Sequence, residues 1–255
     1  IWHECGHGTA FKTRKLNNFF YKIASFMNNF EPIRWKWSHS LHHSYTASVD
    51  PHDYEVEGSI FAKHTFLSFI LNFVPGIGFF TIHKSLYVEI FKHALGVETN
   101  VMRDCIPDDK IKDCITSSRI FVSIWIIIIL ASIYLMSPLP ILLFLIPKFF
   151  ATFNGIWGIT QHMGLQENVK DHRLSTRSVR LNPIFSFIYW KMEYHIEHHM
   201  FPMIPSYNLP KLYDVIKNQM PKPQTLYQAY KDIIPAVIKK SKNPEYFIPV
   251  QVPNN

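Results

Sequence analysis

Histidines in tight groups are the residues of this sequence that could do chemistry. The chain has 14 histidines among 255 residues, and most of them fall in short motifs. One motif is HxxxH and two are HxxHH, and they contain His3 and His7; His39, His42 and His43; and His195, His198 and His199. Because residues three and four positions apart share one face of a helix, each motif would present its imidazoles together.

The number of imidazoles indicates more than one metal ion. His162 comes directly after an apolar segment and is a ninth candidate ligand. A structural zinc takes four ligands and a catalytic zinc commonly takes three plus water, so nine exceed the need of one ion. Two metals with four or five imidazoles each would use the whole set, and imidazole suits iron, zinc, copper and nickel. A lone HxxxH is more often an ordinary surface or core pair. One HxxxH together with two HxxHH motifs and His162 favours ligation instead.

Helices are predicted on both sides of a long apolar region. The pattern predicts helical stretches at Thr9–Asn29 and Ile33–Tyr45, and amphipathic helices at Asn208–Gln219 and Leu226–Lys240. Between these pairs the chain turns strongly apolar. The histidine motifs lie in the polar parts of the chain.

Two apolar segments are each near the ~20 residues that a membrane-spanning helix needs. They are Ile120–Met136 and Leu139–Gly158, joined by Ser137 and Pro138, and no charged side chain occurs from Ile120 to Pro147. The sequence therefore predicts a transmembrane hairpin over residues 120–158. A single span that ends near Pro147 is the alternative.

The distribution of positive charge predicts the orientation of that hairpin. Of the 26 lysines and arginines, all except Lys148 lie in residues 1–119 or 159–255, and the positive-inside rule makes that side cytoplasmic. A third crossing would separate the two halves, so Phe61–Ile82, which is interrupted by proline and glycine, is predicted to be interfacial or re-entrant. Lys148 must reach the interface or a cavity, or else the bounds of the apolar segments differ from those given, since a lysine at mid-bilayer costs ~3 kcal/mol.

The composition excludes several classes of protein. Charged residues make up 18% of the chain, below the ~25% usual in soluble domains, and 47% hydrophobic residues exclude a disordered chain. The net charge of +7 comes without a basic run, so anionic lipid explains it as well as nucleic acid would, and no nucleic-acid partner is predicted. Three cysteines at unrelated spacings predict free thiols rather than a disulfide framework.

The motifs resemble the three histidine boxes of the membrane fatty acid desaturase superfamily. HECGH, HSLHH and HIEHH occur in that order, and YWKMEYHIEHHMFP with QHMGL before it is similar to the bacterial-type acyl desaturases. The resemblance covers nearly the whole chain and implies one all-α, multi-pass membrane domain over residues 1–255, with four transmembrane helices under a cytoplasmic cap. A hairpin that precedes the first box in this family is expected upstream of Ile1.

The resemblance also implies a cofactor and its ligands. A non-haem di-iron centre would lie at the mouth of an acyl tunnel, with O₂ as co-substrate. The implied ligands are the nine histidines, His3, His7, His39, His42, His43, His162, His195, His198 and His199. Because neutral ligands leave the metal charge uncompensated, nearby carboxylates should orient the imidazoles. Glu4 and Glu197 lie inside boxes and are the best candidates; Glu193, Asp50, Asp53 and Asp171 are further ones, although ordinary solvated charge explains Asp50 and Asp53 equally well.

The other five histidines match no box. His52, His64, His83, His93 and His172 are predicted to be interfacial or surface residues. His172 is the strongest exception, because it lies near the third box in sequence.

The most favoured function is an oxygen-dependent desaturase that introduces a C=C bond into a fatty acyl chain. A hydroxylase or ketolase of the same superfamily, acting on an alkane, carotenoid or sphingolipid, is the first alternative, and a histidine-rich metal transporter is the second. The sequence contains no HPGG, CxxC or glycine-rich dinucleotide motif. A separate ferredoxin, or a b-type cytochrome with its reductase, is therefore expected to supply electrons.

Overall fold

The protein is mostly helical in a computed structural model that describes residues 1–56, 66–71, 73–74, 84–145 and 152–253. The helices of these parts are α1 (Trp2–His7), α2 (Arg14–Met27), α3 (Pro32–Ser44), α4 (Phe66–Leu71), α5 (Lys84–Ala94), α6 (Asn100–Cys105), α7 (Asp108–Tyr134), α8 (Leu139–Phe144), α9 (Thr152–His162), α10 (His172–Ser175), α11 (Pro183–Ile188), α12 (His195–Met200), α13 (Leu209–Ile216) and α14 (Leu226–Lys242). Two 3₁₀ turns, Ser206–Asn208 and Lys217–Gln219, flank α13.

One short strand pair joins the last third of the chain, and the all-α prediction did not include it. β1 (Val179–Arg180) pairs in parallel with β2 (Gln224–Thr225), with Val179 opposite Gln224. Thr225 then caps α14 in a capping box with Gln228, so the strand pair ties the start of α14 to the segment that leads into the third box.

The four polar-region helices predicted from sequence are confirmed with small shifts of their ends. The first begins at Arg14, because α1 forms a separate turn that ends at Gly8 in the left-handed conformation. The second begins where Glu31 accepts hydrogen bonds from the N–H groups of Ile33 and Arg34, which is the usual way to satisfy the free donors of a first turn.

The apolar region contains one helix, among the described residues, that is long and apolar enough to cross a membrane. This helix is α7, with a mean hydropathy of 2.1 over its most apolar window, of which 28% is buried. It begins at Asp108, well before the predicted start at Ile120. The mixed charged and polar residues 108–119, which the apolar pattern did not include, form the first part of the same helix. Ile127 is 62% exposed and Ile133 67%, so much of its apolar surface faces outward, unlike the core helix of a soluble protein.

Other predictions for the apolar region lie partly outside the described residues. The second half of the predicted hairpin is seen as α8 and α9, while residues 146–151, with Lys148, lie outside them. Most of Phe61–Ile82 also lies outside; within it, Phe69 of α4 is buried against α9 and α14. The hairpin, its orientation and the re-entrant segment stay predictions.

Apolar clusters hold the box-bearing helices in place. Cys5, Tyr21 and Trp35 form one cluster between α1, α2 and α3. A second cluster joins α9 to α14 through Ile159, Met163 and Ile233. The first box, the second box and His162 are therefore each carried on a helix that is anchored by buried apolar packing.

Candidate metal centre

Each histidine motif lies on a helix, as its spacing predicts. The first box lies on α1, the second on α3 and the third on α12, while His162 is the last residue of α9. The spacing of three and four residues places the imidazoles of each motif on one face of its helix. The three motifs and His162, which are up to 196 positions apart along the chain, meet in one place.

The nine imidazoles fall into two groups. In each group the ligand atoms all lie within 4.8 Å of one another. The five-histidine group contains His3, His7, His39, His43 and His198, and the four-histidine group contains His42, His162, His195 and His199.

The two HxxHH motifs contribute to these groups in a reciprocal way. The second box gives the i, i+4 pair His39 and His43 to the five-histidine group and His42 to the other. The third box gives the i, i+4 pair His195 and His199 to the four-histidine group and sends the remaining histidine, His198, across. The adjacent histidines of each box therefore link the two groups, and the rings of His43 and His199 lie 4.5 Å apart, centroid to centroid.

The imidazoles point Nε2 toward Nε2. In the five-histidine group Nε2 of His39 is 3.0 Å from that of His7 and 3.1 Å from that of His43. In the four-histidine group Nε2 of His195 is 3.0 Å from that of His162 and 3.1 Å from that of His199. Two nitrogens bound at ~2.1 Å from one metal and at about 90° to each other would lie ~3.0 Å apart. The donor set of each group is thus one that could hold a transition metal.

Burial keeps most of these rings neutral, which is the state that offers a lone pair to a metal. Burial, followed by the neighbouring His3, lowers the pKa of His7 to about 3. Burial, followed by the neighbouring His42, lowers the pKa of His162 to about 3. Burial and neighbouring imidazoles likewise hold the pKa of His195 and of His198 well below the usual value.

Three Nδ1 atoms are held by partners outside the two groups. Nδ1 of His42 lies 2.7 Å from a carboxylate oxygen of Asp53, which also accepts from the backbone N–H of Ala47. Nδ1 of His162 lies 3.1 Å from the Ser175 carbonyl, and Nδ1 of His199 lies 3.0 Å from the Thr46 hydroxyl. Such contacts fix the ring orientation and leave Nε2 free for a metal.

The Asp53 contact also has an electrostatic effect. Burial alone would lower the pKa of His42, but the charge of Asp53 and its hydrogen bond outweigh burial and raise it. For Asp53 the balance is reversed: burial would raise its pKa, and His42 lowers it. The pair is therefore mutually stabilising.

The carboxylates proposed from sequence have different surroundings. Glu4 is buried with one oxygen 3.8 Å from Nδ1 of His3, so it faces a box histidine. Glu197 is also buried, but its carboxylate accepts from the Ser178 hydroxyl at 2.7 Å rather than contacting an imidazole. The others contact no box histidine by any hydrogen bond or ion pair of the described residues, apart from Asp53: Glu193 contacts Ser186, Asp50 is exposed, and Asp171 caps α10 and pairs with Arg173.

One carboxylate near the site was missed from sequence. A Glu55 oxygen lies 3.9 Å from Nδ1 of His39, and the same carboxylate accepts from Arg34 at 3.1 Å and from Ser38 at 2.5 Å. Arg34 is buried and pairs as well with Glu89. The only signal in the sequence was the position of Glu55 two residues after Asp53. This position by itself does not indicate which residues the Glu55 side chain contacts.

The prediction for His93 is wrong. His93 has no exposed surface, and its Nε2 lies 2.8 Å from the Thr99 hydroxyl while its Nδ1 lies 3.7 Å from Sγ of Cys114. His93 lies on α5 at its contact with α7. A neutral imidazole can be buried there at little cost because both of its nitrogens have partners. Burial, followed by the charge of Arg34, lowers the pKa of His93 to about 4.

The remaining histidines outside the boxes have different positions. His172 is the exception that the sequence favoured: its ring lies 5.3 Å from that of His199, and its Nδ1 lies 3.4 Å from the Thr46 hydroxyl. His52 is half-buried beside Tyr54. His64 and His83 lie outside the described residues.

Comparison with known proteins supplies the family. Residues 1–231 match the fatty acid desaturase family, which is most of the chain. No curated protein and no solved structure matches the chain. Membership of this family implies oxidoreductase activity, and together with the apolar helix α7 it indicates membrane association. The resemblance seen in the histidine boxes is thus confirmed, and the chain belongs to the fatty acid desaturase family.

Proposed function

We propose that the protein is an oxygen-dependent fatty acyl desaturase with a non-haem di-iron centre. The observation that carries this proposal is the reciprocal sorting of nine imidazoles into a group of five and a group of four. This arrangement supplies a nearly equal ligand set for each of two metals, and the second and third boxes each bridge the two sets.

The residues of the two groups would hold one iron each. A bound iron pair would supply the activation of dioxygen, an oxidant strong enough to take hydrogen from an unactivated methylene, which no side chain can do. The chain's own contribution is to keep most of the imidazoles neutral and to aim them. Asp53, Ser175 and Thr46 hold Nδ1 of three rings, so that their Nε2 atoms converge.

The overall reaction requires an external source of electrons. Two C–H bonds are lost and one C=C bond forms, which releases two electrons and two protons. Reduction of O₂ to two waters needs four of each, so a carrier must supply two electrons, with two protons from solvent. We propose a ferredoxin, or a b-type cytochrome with its reductase, and the net charge of +7 favours docking of an acidic carrier.

The substrate and location are proposed on the same basis. The substrate is an acyl lipid within the bilayer, and the protein is an integral, multi-pass membrane protein whose metal centre faces the cytoplasm. The outward apolar surface of α7 supports the membrane part of this proposal, and the distribution of lysine and arginine supports the orientation.

A hydroxylase or ketolase of the same superfamily is the second candidate. It would share the first hydrogen abstraction and differ in the fate of the resulting carbon radical, so the ligand set favours neither reaction. A metal transporter is less well supported, because its ligands would line a path through the membrane, whereas all nine histidines lie outside α7.

Product analysis tests the proposal. The full-length protein is expressed in a host with a known lipid profile, and acyl chains are examined by mass spectrometry. A product two hydrogens lighter than its precursor is expected. An added oxygen atom instead would assign the protein to the hydroxylase class, and no change in any lipid when a suitable electron donor is co-expressed would contradict both oxidative functions.

Substitution of one ligand from each group tests the site. His42→Ala and His198→Ala should each abolish product while the protein remains in the membrane fraction. Tyr227→Ala is the matched control, since it removes a ring that is 78% exposed and should leave product unchanged. Near-normal product from either histidine variant would contradict the assignment of that residue.

A further inference from the structure

A second site lies behind the third histidine box. A cavity of about 830 Å³ separates the start of α12 from the C-terminal tail, within the ~300–1,000 Å³ of ligand pockets. None of the nine clustered histidines is among the described residues that line it. Its walls include Arg177, Ser178, Ile196, Lys222, Gln224 and Val250. The cavity is therefore distinct from the metal centre.

A buried arginine reaches this cavity without a carboxylate partner. Arg177 is 7% exposed, and its Nη1 donates to the carbonyls of Thr160 at 2.6 Å and Met163 at 3.4 Å. In the described part of the chain no carboxylate forms an ion pair with it, and its Nε and Nη2 have no hydrogen-bond acceptor. The charge of Asp232 acts on Arg177 without an ion pair, and the Asp232 carboxylate already accepts from Gln224 at 2.6 Å. A buried charge of this kind is costly unless it is paired.

Other polar groups of the cavity are also unsatisfied. The Thr176 hydroxyl and the Oε1 atom of Gln224 are buried and have no hydrogen-bond partner among the described residues. Lys222 adds a second positive charge to the wall. Much of the remaining lining is apolar and comes from Leu165, Ile196, Met220, Ile248, Val250 and Val252. The carboxylate of Asp232 also lines the cavity. The polar end thus carries two cations, Arg177 and Lys222, against this one carboxylate, and the rest of the wall is apolar.

We propose that this cavity binds an amphiphilic anion, with its carboxylate or phosphate on Arg177 and its apolar part against the C-terminal tail. Such a ligand would act on both helices behind the four-histidine group. Arg177 holds the end of α9 next to His162, and the adjacent Ser178 holds Glu197 of α12 at 2.7 Å. This proposal is independent of the reaction that the metal centre catalyses.

Thermal unfolding of the purified full chain in a non-ionic detergent tests the proposal. The probes are octanoate and octyl phosphate, with octan-1-ol as the uncharged probe of the same length. At a hundredfold excess over Kd the bound anion should raise Tm by roughly 5–10 °C, and octan-1-ol should not. A shift with octanoate only or octyl phosphate only identifies the preferred head group. No shift with either anion, or an equal shift with octan-1-ol, overturns the proposal.

Three variants locate the effect. Arg177→Gln retains an amide donor for the α9 carbonyls but removes the charge, and Val250→Trp fills the cavity without touching that contact. Both should abolish the shift in Tm. Val215→Trp is the matched control, because Val215 is 81% exposed and lies outside the cavity. The anions should raise the Tm of this variant as much as that of the unaltered protein. If Val250→Trp still shows the full shift, the anions bind elsewhere and the proposal fails.

Discussion

The contact between Asp53 and His42 offers the sharpest test of how the site is held. Asp53 has no exposed surface, and one of its oxygens accepts from Nδ1 of His42 at 2.7 Å and from the N–H of Ala47 at 2.8 Å. Its other oxygen accepts from the N–H of Glu55 at 3.0 Å. Asp53→Ala removes both acceptor oxygens and all three hydrogen bonds. Asp53→Asn removes the charge and one acceptor, since its NH₂ group must face a donor.

The expected cost is specific to one group of histidines. Loss of the partner of a metal-bound histidine typically lowers metal affinity 10–100-fold, which is about 1.4–2.7 kcal/mol. The buried, short and charge-assisted contact places Asp53→Ala near a hundredfold and Asp53→Asn near tenfold. His42 belongs to the four-histidine group, so in the proposed two-metal centre only the metal of that group should bind more weakly.

Metal counting against a chelator series measures this effect. Purified protein is dialysed at increasing chelator concentration, and metal per chain is determined by mass spectrometry. Asp53→Ala should lose one of two metals at about a hundredfold lower chelator concentration than the unaltered protein, and should retain the other. Asp214→Asn, at an exposed surface position, is the matched control. If Asp53→Ala releases its metals at the same chelator concentration as the control, Asp53 does not support the site.

Three further predictions concern packing around the site and the membrane. His93→Ala should lower Tm by several degrees in thermal unfolding, because it empties a fully buried site and leaves hydrogen-bonding partners unpaired; an unchanged Tm would contradict the burial. Gly6→Ala should reduce metal per chain, because the new Cβ would lie 2.3 Å from the Trp35 ring, which stacks on His39; full metal content would show that Trp35 can shift freely. Ile127→Lys should remove protein from the carbonate-resistant membrane fraction, since a lysine in mid-bilayer costs ~3 kcal/mol, and normal recovery there would contradict a spanning α7.

The sequence by itself determined the chemical identity of the site. The nine histidines, their helical spacing and the family could all be read from three short motifs and Gln161-His162. Local periodicity also predicted the helices around the second box and near the C-terminus to within a few residues, because helix ends depend on caps such as Glu31 and Thr225. These are properties of neighbouring residues, which a sequence displays directly.

Only the tertiary structure decided which histidine joins which group and what holds it there. The split of His42 from His43, and of His198 from His199, depends on where α1, α9 and α12 pack against α3. Glu55 was missed, and His93 was placed on the surface, for the same physical reason. Burial and hydrogen-bond partners arise from contacts between residues far apart in the chain, and no local pattern of residue types specifies them.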